Sequence, residues 1–363
     1  MNRRTFLLHT GRWLAIAGLA GVAPLLPGCA GTAATTTTAG SGEPGSTTTA
    51  DDSSGASVTG PSPTSTTLGA PGSNTTVPDD STGSTGGPGT GPGASIGPDL
   101  AVIKGESVDK NVRAAVALLG GMGRFVTKGG KVVVKPNVLT GRPPEYATTT
   151  SPELMKAVIA MCWEVGAKEV VVLDNPTSDH RSAFETSGLA QAISAADGKL
   201  VYLASRDYQD YDIPQGKVLT KWAFVTEALE ADTLIDLALP KQHGTSGATM
   251  TMKNLMGVMG GRRGSIHNDF SHKIVDVSTL VKPTLSILDA YRVLFRNGPT
   301  GGSLSDVRLE KTLVAGTNTV SIDAYGTRFF GKTPADYEWL VEAGSRGMGE
   351  IDVSKLSIAT GTA

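Results

Sequence analysis

The run Lys241-Gln242-His243-Gly244-Thr245-Ser246-Gly247 continues through Thr249 and Thr251 to Lys253-Asn254, then to Arg262-Arg263, His267 and His272. It gathers glycines, hydroxyls, amides and cations into one short stretch. Glycines let backbone N–H groups approach an anion closely, and Lys or Arg beside them supply charge, a chemistry suited to carboxylate or phosphate groups. His243 adds a group able to give or take a proton near neutral pH, with Lys241 beside it as a second candidate for catalysis. The stretch is not a P-loop, because its Gly, Lys and Ser/Thr spacing is wrong. Gly121-Met122-Gly123 is no dinucleotide fingerprint either, since it sits inside a helical pattern.

A metal is also open. His243, His267 and His272 with Asp174 or Asp289 could assemble a divalent site, although the spacing of His267 and His272 lacks the i, i+4 face of a helical pair. Cys162, on the apolar side of a helical pattern, reads as a small core hydrophobe. His180 reads as a solvated loop residue.

Four apolar strand patterns end in ionisable residues: Lys135 before Pro136-Asn137, Asp174 before Asn175-Pro176, Lys241 and His243 after Leu239-Pro240, and Asp289 after Leu285 to Leu288. In a parallel sheet all carboxyl ends lie along one rim, and ligands bind in the crevice outside it. These tips would therefore converge. A charge where a strand meets water is also ordinary punctuation, so each tip alone says little.

Short β-branched runs alternating with helical patterns position these tips, the signature of an α/β fold with a mostly parallel sheet. Strands are expected at Leu100 to Lys104, Lys131 to Lys135, Val170 to Asp174, Leu200 to Leu203, Thr233 to Leu239 and Leu285 to Asp289. Runs such as Val132-Val133-Val134 are apolar on both sides, which implies helices on both faces of the sheet. Helices are expected over Val108 to Val126 and Pro152 to Val165, the latter with Ser151 as N-cap and Gly166 closing it. Further helices are expected at Ser271 to Val281, Thr319 to Phe330 and Pro334 to Ala343. The Gly-rich stretch from 244 to 264 reads as a long functional loop inside one large domain, residues 99 to 363.

The chain of 363 residues has 32 basic and 34 acidic side chains. Residues 1 to 29 hold Arg3, Arg4 and Arg12 and no acid; residues 30 to 98 hold five acids and no base. The remaining body has formal charge zero. A nucleic-acid binder that neutralises phosphates should be clearly basic, so nucleic acid is not an expected partner. Two cysteines exclude a disulfide scaffold and a four-cysteine iron–sulfur cluster.

Arg3-Arg4-Thr5-Phe6-Leu7, followed by a Gly/Ala-rich apolar stretch too short to span a membrane, resembles a twin-arginine export signal. It closes on Leu26-Pro27-Gly28-Cys29, which resembles a lipobox and would place a membrane-anchoring lipid on Cys29; Pro27 departs from that pattern, leaving a soluble product cut near Ala30 as the alternative. Residues 30 to 98, without aromatics or positive charge, read as a disordered Thr/Ser/Gly/Pro-rich linker with a reach of roughly 45 Å. The expected location is the outer face of the cell membrane or the periplasm.

Taken in order, Lys135-Pro136-Asn137, Thr150-Ser151-Pro152, Lys241-Gln242-His243, Met252-Lys253-Asn254-Leu255-Met256-Gly257, Asn297-Gly298-Pro299-Thr300-Gly301-Gly302 and Val320-Ser321-Ile322-Asp323-Ala324 resemble the domain of unknown function 362 family over nearly all of residues 99 to 363. The resemblance implies an α/β domain of undefined activity, often beside an iron–sulfur module whose cysteines this chain lacks. It adds Asp323 and the Gly298 to Gly302 turn to the candidate residues.

Two functions are compatible with these residues. In an enzyme acting on a small anionic molecule, Lys135, Lys241 and Lys253 would neutralise the ligand and Asn137 and Asn254 would orient it. His243 would act as acid or base, and Asp174 and Asp289 would tune the lysines or hold a cation. In a non-catalytic binding or assembly module of the cell envelope, the same charges would satisfy one another as internal ion pairs.

Overall fold

Valines at 132 to 134 and 170 to 172 offer water no polar side, so both faces of the strands they form must be covered. In the computed structural model, which describes residues 97–363, they are. The strands are β1 (Leu100–Lys104), β2 (Lys131–Pro136), β3 (Glu169–Asp174), β4 (Lys199–Tyr202), β5 (Tyr208–Asp212), β6 (Lys221–Val225), β7 (Thr233–Ala238), β8 (Lys241–His243), β9 (Gly247–Thr249), β10 (Leu285–Leu294), β11 (Val307–Gly316) and β12 (Ile358–Thr362). The helices are α1 (Val108–Leu118), α2 (Pro152–Glu164), α3 (His180–Thr186), α4 (Leu189–Ala195), α5 (Thr226–Leu229), α6 (Thr251–Asn254), α7 (Phe270–Leu280), α8 (Thr319–Gly326) and α9 (Glu338–Ser345). The export signal, Cys29 and nearly all of the linker lie outside the described residues.

The main sheet runs β12-β1-β11-β10-β7-β2-β3-β4. Every neighbouring pair along it is parallel except those involving β11, which is antiparallel to both β1 and β10. The described residues thus form a single α/β domain with a mostly parallel sheet. Its two cores alternate along each strand: Val133, Val171 and Leu234 join one cluster with Ile274 and Val277 of α7 and Ile322 of α8. Val132, Val134, Val170 and Val172 join the other, with Val112 of α1 and Leu154 and Val158 of α2.

Several boundaries differ from expectation. The helix expected to reach Val126 stops at Leu118, because Gly120 and Gly121 take positive φ and a separate 3-10 turn covers Met122–Arg124. Those over Thr319 to Phe330 and Pro334 to Ala343 each divide into a 3-10 segment and an α-helix. The N-terminus of α2 forms as read: Ser151 Oγ accepts from the Leu154 N–H, and Gly166 follows the helix at φ +84. Cys162 of α2 is fully buried, and burial pushes its thiol up to about 12, an inert core position.

The topology places a crevice at a definite spot. From β2 the chain moves through α2 to β3 and β4 on one side, whereas β7, the next parallel strand, pairs on the other. Such a reversal leaves an opening at the carboxyl ends, between the two outgoing connections. The segment after β7 arches over it as the β8–β9 hairpin, α6 and a 3-10 turn at Leu255–Val258. The β5–β6 hairpin braces the far end of that arch: Trp222 Nε1 donates to Gly260 O at 3.0 Å, and Phe224 bridges to Met259.

Candidate functional site

Lys135 lies on β2 in register with Asp236 of β7, on the face that carries α6, and its ammonium reaches the crevice floor fully buried. Nζ meets Asp174 Oδ1 at 2.9 Å and donates to Pro136 O at 2.7 Å and Asn254 Oδ1 at 2.9 Å. Two oxygens thus accept its hydrogen bonds, and Asp174 supplies the counter-charge. Asp174 is held further by the Val138 N–H on Oδ2 at 2.6 Å. Gly257 passes directly over this pair, where a Cβ would overlap Asp174 Oδ1 and Lys135 Nζ.

Asn254 is the hub of the floor. Its Oδ1 accepts from Lys135 and from Asn137 Nδ2 (2.7 Å), and its Nδ2 donates to Asp236 Oδ1 at 2.7 Å. Asn137 Oδ1 in turn accepts from Lys241 Nζ at 2.6 Å, and Lys241 also donates to Thr148 O at 2.6 Å. Burial pulls Lys241 down to about 7; Asp174 resists this, while Lys253 and Lys135 add to it.

Lys253, on α6, has softer surroundings. Nζ lies 2.6 Å from His267 Nε2, 3.4 Å from Met256 Sδ and 4.6 Å from the centre of the Phe270 ring. Burial first, and Arg263 second, bring it down to about 7. His267 Nδ1 is 3.0 Å from Gly264 O, which can only accept, so Nδ1 carries the hydrogen and Nε2 presents a lone pair to Lys253. The rings of His243, His267 and Phe270 stack in a column, with centroids 5.3 and 5.7 Å apart.

His243 Nδ1 accepts from the N–H groups of Thr245 (3.2 Å) and Ser246 (3.4 Å), so the neutral ring carries its hydrogen on Nε2. Burial, then the charges of Lys253, His267 and Lys241, depress it to about 3. His243 is therefore a neutral hydrogen-bond donor at pH 7, and the near-neutral acid or base expected from its type is displaced by burial and by its cationic neighbours.

These groups open onto one cleft of about 340 Å³, lined among others by Asn137, Asp174, Lys241, His243, Lys253 and Arg263. Arg263 donates to Met256 O at 3.1 Å and to Asn175 O, pinning the arch to the end of β3. Lys135, Asp174, Lys241 and His243 of the strand ends thus come together with Asn137 and with Lys253 and Asn254 of the Gly-rich stretch. Asp289 does not. It shares parity on β10 with Leu285 and Ile287, which pack on the α2 side, so it faces the opposite side of the sheet from Lys135. There its carboxylate accepts from the Ser151 and Tyr291 N–H groups, next to a gap of about 10 Å³. Of the metal set, His243, His267 and Asp174 line the cleft while His272 is bound to Asp269 at the surface, and among the described residues no three His, Cys, Asp or Glu side chains are grouped to hold a metal ion. His180 begins α3 with Asp179 as its N-cap.

Two acids matter more than spacing suggested. Asp236, fully buried mid-strand in β7, is raised to about 8 chiefly by burial, with Lys135 and the Asn254 hydrogen bond opposing. Its only sequence signal is an acid inside an apolar run. Asp323, added by resemblance alone, accepts from the Thr251 N–H (2.7 Å), the Thr251 hydroxyl (2.6 Å) and the Met252 N–H (2.8 Å), fixing the start of α6. It holds the segment that bears Lys253 and Asn254.

The family model for the domain of unknown function DUF362 matches residues 132–328. A thylakoid-associated protein of Synechocystis sp. is 31% identical over 234 residues, 62% of this chain and 70% of that protein. Among solved structures, the lactate racemase apoprotein from Thermoanaerobacterium thermosaccharolyticum is similar with a TM-score of 0.38 and 11% identity. That likeness covers 65% of this chain and 57% of the racemase. A structural-genomics target from Thermotoga maritima scores 0.25 at 13% identity, over 45% of this chain and 46% of its own. Neither likeness bears on chemistry.

Proposed function

Since the chain belongs to the DUF362 family, which is defined by sequence and not by a reaction, we propose from its cleft that it is an enzyme acting on a small anionic molecule, a carboxylate or a phosphate. One observation carries this. Lys241, Lys253 and Arg263 line a single cleft, and among the described residues no carboxylate lies within ion-pair distance of any of them. The one acid on the lining, Asp174, is committed to Lys135. Burial without a counter-ion within ion-pair distance pulls both lysines down to about 7 and lowers Arg263 as well, and an anionic ligand supplies what these groups lack.

In this reading Lys241 and Arg263 hold the anion, Asn137 and Asn254 fix the lysines, and His243 donates Nε2–H to a ligand oxygen. Lys135 with Asp174 is structural. The purified chain should gain melting temperature with phosphate or dicarboxylates; no shift with any of them, together with unchanged behaviour of Lys241→Met, would contradict it. The alternative, a non-catalytic envelope module, draws on the closed Lys135–Asp174 pair, and predicts that ligands and cleft substitutions alike leave the protein's binding behaviour unaltered.

From residues 1 to 98 we infer export by the twin-arginine route and anchoring by a lipid on Cys29, at the outer face of the cell membrane or in the periplasm. No helix among the described residues is long and apolar enough to cross a membrane; the Synechocystis relative is described as thylakoid-associated. Cys29→Ala should move the protein from the membrane to the soluble fraction, and retention in the membrane would rule the lipid out.

A further inference from the structure

Lys135, buried beneath the cleft, and Lys241 and Lys253, which line it, differ in their oxygen partners. Lys135 Nζ has three oxygen partners. Lys241 Nζ has two, at 2.6 Å each, leaving one N–H for a ligand. Lys253 Nζ has none among the described residues: a ring nitrogen lone pair, a thioether sulfur and an aromatic face surround it. An ammonium is best solvated by oxygens, and Lys253 is the lysine that lacks them.

We propose that Lys253 is the covalent group of this cleft, its amine forming a Schiff base with the carbonyl carbon of a small 2-oxo acid whose carboxylate is held by Lys241 and Arg263. This rests on the anion-site reading and narrows it to a substrate class. The groups facing Lys253 are His267, Arg263 and His243, with no acid among them, and its lowered basicity leaves a large unprotonated share at neutral pH. A desolvated lysine beside another cation is the recognised way to obtain an amine nucleophile.

The step balances without another reactant. The Nζ lone pair attacks the carbonyl carbon and forms the C–N bond as the C=O π pair moves onto oxygen. His267 Nε2, 2.6 Å away, relays both amine hydrogens in turn to that oxygen, which leaves as water as nitrogen closes the C=N bond. Nε2 is free to do so because Nδ1 already donates to Gly264 O.

The test is borohydride trapping on the full chain. Incubation with pyruvate followed by sodium borohydride should leave a permanent reduced adduct on the peptide containing Lys253. Excess phosphate should suppress the adduct, which should be absent in Lys253→Met and in the charge-retaining Lys253→Arg. Melting curves with phosphate are run in parallel. No adduct, or one spread over exposed lysines such as Lys110 and unchanged in both variants, overturns the Schiff base; if phosphate still raises the melting temperature, the anion site survives that result. Neither adduct nor melting shift overturns both, whereas an adduct at Lys253 without a phosphate shift supports the amine and overturns the phosphate arm of the anion reading.

Discussion

At the scale of single residues, Lys253 and Asp236 are held away from their ordinary ionisation in opposite senses, and stability should record both. The folded-state value of Lys253 is about 7 against an ordinary 10.5, so between those values the unfolded chain binds more protons and stability rises with pH. Below pH 7 the charged amine is desolvated at full cost. Lys253→Met, whose side chain suits Met256 and Phe270, should therefore raise the unfolding free energy by about 1–3 kcal/mol at pH 6 and by less at pH 9. Urea unfolding at the two pH values checks it. Asp236 is shifted the other way, to about 8 from 3.8, so here the folded state holds the extra proton and stability falls as pH rises from about 4 to 8. Its Oδ2 finds no partner, and Lys135 is already committed to Asp174. Asp236→Asn keeps the Asn254 hydrogen bond and should flatten that fall, gaining at pH 8 and little at pH 4; an equal effect at both would assign Asp236 a charged state throughout.

At the scale of elements, the arch from β8 to the 3-10 turn at Leu255–Val258 carries the site, and its fit depends on Gly257 lying against the Lys135–Asp174 pair. Gly257→Ala forces a methyl onto two buried charges and should cost about 3 kcal/mol or more, read as a lowered denaturation midpoint. Most elements around this arch were legible: the runs at Lys131, Glu169 and Thr233 are continuous and apolar because both faces are covered, and α2 announces itself by Ser151-Pro152 and Gly166. What was missed lacks that signal. β5 reads Tyr-Gln-Asp-Tyr-Asp and stays largely exposed, and β11 begins with Arg308 and Glu310 before its buried half. Asp289 was misplaced for a different reason. Its position at a strand end is visible, but which side of the sheet it faces depends on parity relative to Leu285 and Ile287, and on which helices cover that side. Asp236 escaped because the run around it looks wholly apolar, and its partner Asn254 lies 18 residues on, joined only by the arch.

At the scale of the whole molecule, a body of formal charge zero concentrates unpaired cations in one crevice, at the place where the strand order reverses between β2 and β7. Its exterior shows the opposite habit: Arg113 with Glu164 and Lys199 with Glu169 pair off on the surface. An anion held by Lys241 would restore charge to that lysine, depressed to about 7, so binding above neutral pH must draw protons from solution and weaken as pH rises further. The most direct measurement is a calorimetric titration of phosphate into the full chain at pH 8, in two buffers of different ionisation enthalpy. Saturable binding with net proton uptake, lost in the Lys241→Met/Lys253→Met double variant, is the predicted result; absence of binding, or binding without proton uptake that ignores both substitutions, would contradict the assignment of this cleft.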